Sequence, residues 1–208
     1  IQAIMSMDSE KYEITPVYIA KNGKMYTGEN VGKIEAYKNI DKLIKESKNV
    51  IWVKEGNSVF LVPYPFKAFS GKQKIEIDVA FPIVHGTNVE DGTLQGYLKT
   101  IGVPFVGCDV TASAVGMDKY IMKTVLKDND IPVLDGALYN ISELKDMDAL
   151  LDKIEKRFGY PVIVKPVNSG SSVGIGVGKN REELEKKIDD AFMFASKIII
   201  EHAILNLR

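Results

Sequence analysis

The stretch from Pro161 to Val177, PVIVKPVNSGSSVGIGV, constrains this chain more than any other. An apolar β-type run, Pro161-Val162-Ile163-Val164, carries a lysine, Lys165, inside it. A loop of small residues follows, Asn168-Ser169-Gly170-Ser171-Ser172, and a second β-type run extends from Val173 to Val177. A lysine embedded in an apolar strand is costly unless its ammonium meets an anion. A loop of small residues beside it can turn successive N–H groups and hydroxyls toward phosphate oxygens. These are the ingredients of a phosphate clamp built on a β-hairpin. The string GxxxxGK[ST] is absent and the loop leads into a strand, so this is not the strand–loop–helix type of nucleotide loop. The competing reading is a strand-end lysine lifted into water beside an ordinary hairpin connection.

Bulk properties narrow the partners. Positive and negative side chains nearly cancel over the 208 residues, leaving a formal charge of −1, which argues against a nucleic-acid-binding surface while allowing a local cationic pocket. One cysteine, Cys108, precludes an internal disulfide and fits a reducing compartment. Its place after Phe105-Val106-Gly107 reads as a small buried side chain. No apolar run approaches the ~18 residues of a membrane span. The chain opens on Ile1 without a visible signal peptide, and is read as incomplete at its start.

The expected fold class is α/β, with an open parallel-sheet, Rossmann-like domain over 1–112 followed by an α+β domain over 113–208. In the first, 14–20, 50–53 and 58–62 read as strands, with a short surface helix near 42–48. The nearly continuous apolar run 77–84 suggests a strand buried on both faces of a parallel sheet. Leu94, Tyr97, Leu98 and Ile101 predict a helix over 93–101 that stops at Gly102, and 103–106 another strand. In the second domain, helices are expected over about 118–129, over a segment N-capped by Ser142 that includes Leu144 to Ile154, and after Asn180, where Glu183 and Lys187 form an i,i+4 pair. Strands at 161–165, 173–177 and 197–201 interleave with them.

His85 follows Ile83-Val84 at a strand end, the edge of an open α/β sheet where ligands bind. Gly86 allows a sharp turn, and Glu90 is near enough to fold back and hydrogen-bond the imidazole. The alternative is a surface turn with a solvated histidine. Two histidines and one cysteine supply no zinc cluster, and no GxSxG motif is present. GIGVGK at 174–179 lacks the helix that a dinucleotide fingerprint needs.

Four ordered strings carry a resemblance: HGTNVEDGTLQG at 85–96, SAVGMDKYIMK at 113–123, VKPVNSGSSVG at 164–174 and IIIEHAI at 198–204. From about residue 10 to the last residue the chain resembles the D-alanine–D-alanine ligases of the ATP-grasp superfamily. The resemblance implies a pre-ATP-grasp domain followed by an ATP-grasp central domain. It implies ligation of two D-alanines through an acyl phosphate, driven by ATP with Mg²⁺ or Mn²⁺, for peptidoglycan synthesis in bacterial cytoplasm. His85 and Glu90 then stand beside the first D-alanine, with Ser171 as a third catalytic residue. Lys119, Lys165, Gly170, Ser171 and Ser172 hold the nucleotide phosphates. Glu201 accepts from the adenine amino group, and the His202-Ala203 backbone reads the adenine edge. Gln95 is left to packing or helix support, Gly170 and Gly174 to close backbone approach, and the 161–177 stretch to a lid over the nucleotide.

Metal-ligating carboxylates are expected outside this chain, beyond Arg208, as is a glycine-rich loop ahead of Ile1, so the 208 residues by themselves are expected to be inactive. The partners are D-alanine and ATP, with no nucleic acid or membrane, and a homodimer stays open. Alternatives are a D-alanine–D-lactate or D-alanine–D-serine ligase, a non-catalytic ATP-binding module, and an unrelated α/β protein.

Overall fold

The computed structural model of the chain describes residues 1–66, 73–86 and 88–204. It divides into two compact units, one formed by residues 1–83 and 97–107, the other by 84–96 and 108–208. The turn bearing His85 and Glu90 thus goes with the second unit, whereas the sequence reading attaches it to 1–112.

The first unit is built on a five-stranded sheet in the order β1 (Val17–Ile19), β2 (Met25–Thr27), β3 (Lys48–Glu55), β4 (Ser58–Pro63), β5 (Ile75–Glu76). Every neighbour in it pairs antiparallel, which corrects the expectation of an open parallel sheet. The reason is local: β1–β2 and β3–β4 are joined by tight turns at Asn22-Gly23 and Gly56-Asn57, and a tight turn reverses the strand. Val59 to Val62 of β4 are buried, as are Leu43 of helix α2 (Ile40–Glu46) and Val50 of β3. Helix α1 covers Gln2–Ser6.

The run 77–84 is not a doubly buried strand. Val79, Phe81 and Ile83 are 47%, 47% and 49% exposed. Ile77 N–H donates to Val59 O at 2.9 Å, and beyond it the run's one bridge is parallel, from Ala80 to Phe105, in which Ala80 N–H donates to Pro104 O and Val106 N–H to Ala80 O. Pro82 and Pro104 each lack a donor, which stops the ladder on either side. The strand–helix–strand order is nevertheless present, with helix α3 (Thr93–Thr100) between the bridged segments. α3 ends as expected at Gly102, whose φ of +74° suits a residue without a Cβ. Cys108 is exposed, because the backbone there turns from Gly107 into the cap of the next helix instead of continuing a strand.

The second unit holds a four-stranded antiparallel sheet, ordered β6 (Gly136–Asn140), β9 (Lys197–His202), β7 (Val162–Pro166), β8 (Gly176–Gly178). Two amphipathic helices, α6 (Met147–Phe158) and α7 (Arg181–Phe192), contribute Leu150, Leu151, Ile154, Leu184 and Ile188 to one core with Val162, Val164, Ile198 and Ile200. Strand alternation then sends Ile163, Lys165, Ile199 and Glu201 to the opposite face.

The caps explain where the helices begin. Asn180 caps α7 by accepting from Glu183 N–H at 2.9 Å, as expected. Asp118 caps α5 (Lys119–Asp128), and Asp109 caps α4 (Val110–Met117), a helix the sequence reading missed. Ser142 is not a cap: a 3₁₀ turn, Ile141–Asp146, opens on an Asn140–Glu143 capping box, and α6 starts after Asp146. The expected Glu183–Lys187 pair is also absent. Glu183 accepts instead from Lys179 N–H, and Lys187 pairs with Asp190 at 3.1 Å.

Candidate functional site

Period-two alternation places Lys165 and Glu201 diagonally across adjacent strands on one face of the sheet, since Ile163 is opposite Glu201 and Lys165 opposite Ile199. The Lys165 ammonium donates to Glu201 Oε2 at 2.7 Å. The other oxygen, Oε1, forms an ion pair with Lys123 of α5. Glu201 is 1% exposed, while the Lys123 and Lys165 side chains keep 18% and 23%. Room for the carboxylate comes from Gly136 on β6, where a Cβ would stand 3.0 Å from Ile199 Cδ1 and 3.2 Å from Glu201 Cγ.

Lys119 begins α5, and its ammonium donates to the carbonyls of Ser169 at 2.6 Å, Pro166 at 3.1 Å and Val167 at 3.4 Å. Its backbone N–H also donates to Val167 O. Lys119 therefore staples α5 to the start of the Gly/Ser loop. Burial lowers its pKa and the neighbouring Lys165 ammonium lowers it further, with Asp118 and Glu201 opposing. A group so placed gains from an added anion.

The loop that follows is strained in an informative way. Ser171 and Ser172 have φ of +50° and +60°, a region non-glycine residues seldom adopt. Val173 N–H closes the turn onto Gly170 O at 3.1 Å. Among the described residues, the N–H groups of Ser171 and Ser172 have no hydrogen-bond acceptor in the protein. Gly174 serves packing, not ligand approach: at φ +72° its Cα faces Pro166 and Phe194, both 2.7 Å from a would-be Cβ. The second β-type run also begins later than expected, at Gly176.

The turn after Val84 lies against this loop. A methyl group on Gly170 would stand 3.8 Å from Glu90 Oε2. That oxygen accepts from Gly86 N–H at 2.6 Å, and Oε1 is 3.6 Å from His85 Nδ1. The expected Glu90–His85 hydrogen bond is thus not made, since 3.6 Å exceeds hydrogen-bond reach, and the imidazole is 87% exposed. Glu90 shapes the turn through backbone and meets histidine only as a charge. Asp91 accepts from Thr93 and Asn88 N–H. Burial pushes its carboxyl up, and these hydrogen bonds outweigh that and leave it below its ordinary range. Gly92, at φ +91°, leaves no space for a side chain, with Val110 O 2.7 Å from a would-be Cβ. Gln95 is half-buried, and its Oε1 has no partner among the described residues.

At the end of β9, the Ala203 N–H is already donated to Pro161 O at 2.8 Å. An adenine edge there meets a strand whose ladder is in use. Lys123 was missed from the sequence. Its one signal is its position four residues after Lys119, on the same face of α5. No group of three or more His, Cys, Asp or Glu side chains suited to a metal ion comes together among the described residues. The described residues therefore do not bring together a carboxylate set suited to Mg²⁺.

Comparison with known proteins decides the family. The family model "D-ala D-ala ligase N-terminus" matches residues 1–108, and "D-ala D-ala ligase C-terminus" matches 125–208. The chain belongs to the D-alanine–D-alanine ligase family. It is 39% identical to the D-alanine–D-alanine ligase of Bacillus cytotoxicus over 211 residues, covering 99% of this chain and 55% of that protein. To that of Thermosipho melanesiensis it is 36% identical over 200 residues, covering 96% and 53%. Among solved structures, the ligase from Coxiella burnetii superposes with a TM-score of 0.80 at 28% identity, covering 97% of this chain and 55% of that one. The VanG D-Ala:D-Ser ligase from Enterococcus faecalis gives 0.78 at 28%, covering 98% and 57%. The chain thus spans about half the length of these ligases.

Proposed function

We propose that this chain forms the nucleotide-phosphate and first-substrate side of an ATP-dependent D-alanine–D-alanine ligase. The observation that carries the reading is the loop at 170–173. Two consecutive serines hold left-handed backbone with N–H groups that have no acceptor among the described residues, beside two lysines that share a buried carboxylate and a third, Lys119, held by backbone carbonyls. That cluster carries surplus positive charge next to preorganised donors, which suits a polyphosphate.

Lys165 and the Gly170–Ser172 backbone hold the phosphates, and Lys119 fixes the loop and adds charge. In the first step a carboxylate oxygen of one D-alanine attacks the γ-phosphorus of ATP, and ADP leaves. In the second, the amine of another D-alanine attacks the acyl carbon and inorganic phosphate leaves. Lysine charges and loop N–H groups oppose the charge that builds on the transferring phosphoryl oxygens. Glu90 holds the turn that presents His85 to the first D-alanine, and Ser171 adds its hydroxyl at the junction of turn and loop. A divalent cation, when bound, supplies further charge neutralisation, and its ligands are not drawn from the described residues. The adenine lies along the His202-Ala203 strand end through groups other than the Ala203 N–H, which stays on Pro161 O; Glu201, buried with its oxygens on Lys123 and Lys165, is not free to accept from the adenine amino group. No helix of the described residues is long and apolar enough to cross a membrane. Likeness to D-alanine–D-alanine ligases supports the reading of action on peptidoglycan precursors in the cytoplasm.

The test is ADP formation by the complete protein carrying this chain, with ATP, Mg²⁺ and D-alanine, and chromatographic identification of the product. D-alanine-dependent ADP release with D-alanyl-D-alanine as product supports the proposal, and ATP turnover indifferent to D-alanine refutes it. The likeness to a D-Ala:D-Ser ligase makes D-serine the competitor to include as second substrate.

A further inference from the structure

Glu201 is a carboxylate at 1% exposure with two ammonium partners, Lys165 from β7 and Lys123 from α5. Lys123 is held independently of the nucleotide loop, since its ammonium also donates to Leu134 O at 3.0 Å, in the segment leading into β6. Lys165 projects from the strand that runs directly into the Gly/Ser loop. The two lysines are therefore not equivalent: one is anchored within the fold, the other stands at the phosphate site.

A lysine cannot give its full charge to Glu201 and to a phosphate together. If Lys165 were the only partner, drawing it onto a nucleotide would strand a buried carboxylate, a penalty charged directly against binding. A second ammonium on Oε1 removes that penalty. We propose that Lys123 is a positioning residue for ATP binding: it keeps Glu201 compensated, and so releases Lys165 to the nucleotide phosphates. The inference rests on the nucleotide reading above, and it concerns a residue that touches neither phosphate nor D-alanine.

The test is a double-mutant cycle in the complete protein, read by calorimetric titration with Mg²⁺-ATP and, separately, with inorganic tripolyphosphate. Lys123→Met weakens both ligands about tenfold, or about 1.4 kcal/mol, because Glu201 now holds Lys165 alone. In a Glu201→Gln background the same substitution has no effect on either ligand, since nothing there retains Lys165. Lys123→Arg restores affinity to within about threefold, as expected of a retained charge. Should Lys123→Met not fold, Lys123→Gln, which keeps a donor for Leu134 without the charge, takes its place.

Unchanged affinity in a folded, uncharged Lys123 variant overturns the inference. So does a loss that persists in the Glu201→Gln background, because Lys123 would then contact the nucleotide itself. A loss confined to ATP and absent with tripolyphosphate also overturns it, by placing the effect at the adenine. Failure of the unmodified protein to bind ATP removes the nucleotide reading first, and the inference with it.

Discussion

Replacing Glu201 by glutamine takes the negative charge out of a buried site that two lysines enter. A carboxamide offers one acceptor oxygen and one donor NH₂, so it satisfies one ammonium and turns a donor toward the other. Breaking a fully buried ion pair by removing one partner costs about 3–5 kcal/mol. Here the stranded groups are the lysines, whose side chains retain 18% and 23% exposure and can draw in water. A loss of about 2–3 kcal/mol is the reasoned figure, which for a chain of this size corresponds to roughly 5–10 °C in Tm. The assay is thermal unfolding followed by circular dichroism, with a companion run in sulfate. The anion should recover part of the loss by sitting between the ammoniums, and recover more in the variant than in the unmodified protein. A Tm within about 2 °C of the unmodified protein would show that the pairs contribute no more than exposed ones do.

Other consequences are as direct. Gly174→Ala combines a left-handed φ of +72° with a Cβ 2.7 Å from Pro166 and Phe194. It should cost about 2–4 kcal/mol in urea unfolding from strain and overpacking together, and a neutral result would mean the loop repacks freely. Tyr160 donates to Glu155 Oε1 at 2.6 Å. Burial first, and Glu155 second, raise its pKa to about 12, from 10.0. Between those values the unfolded chain loses a proton that the folded one keeps. The contribution is therefore complete below pH 10, and it is lost as pH rises toward 12. Discounted for solvent screening it is about 1 kcal/mol. Tyr160→Phe should flatten that part of the stability–pH curve, and an identical curve would refute the assignment. His85→Ala should raise the KM for D-alanine in the complete protein while leaving ATP affinity within about twofold, because the imidazole sits across Glu90 from the loop; the opposite split would move His85 to the nucleotide.

What could be read from the chain was what depends on near neighbours. Asn180 and Gly102 mark helix ends through contacts within four residues, and both behave as expected. The Lys165 strand and the Gly/Ser loop were recognisable for the same reason. Where tertiary pairing decides, local reading failed. The run 77–84 has the composition of a buried central strand, but Pro82 and Pro104 limit it to one bridge. Ser142 is a good cap residue outcompeted by Asn140, which gains a reciprocal Glu143. The Lys123–Glu201–Lys165 arrangement joins three elements about 40 residues apart in sequence. Nothing in the string SAVGMDKYIMK separates Lys123 from a solvated helix lysine except its register with Lys119.

The central claim is that the backbone of the Gly/Ser loop grips the nucleotide phosphates. Hydrogen exchange of the 168–175 amides, measured on the complete protein with and without saturating Mg²⁺-ATP, reads those N–H groups themselves. The account predicts that Ser171 and Ser172, whose N–H groups have no acceptor among the described residues, slow by tenfold or more when ATP binds, on the order of one new charge-assisted hydrogen bond each. Protection that appears elsewhere at saturating ATP, with exchange at 168–175 unchanged, would contradict it.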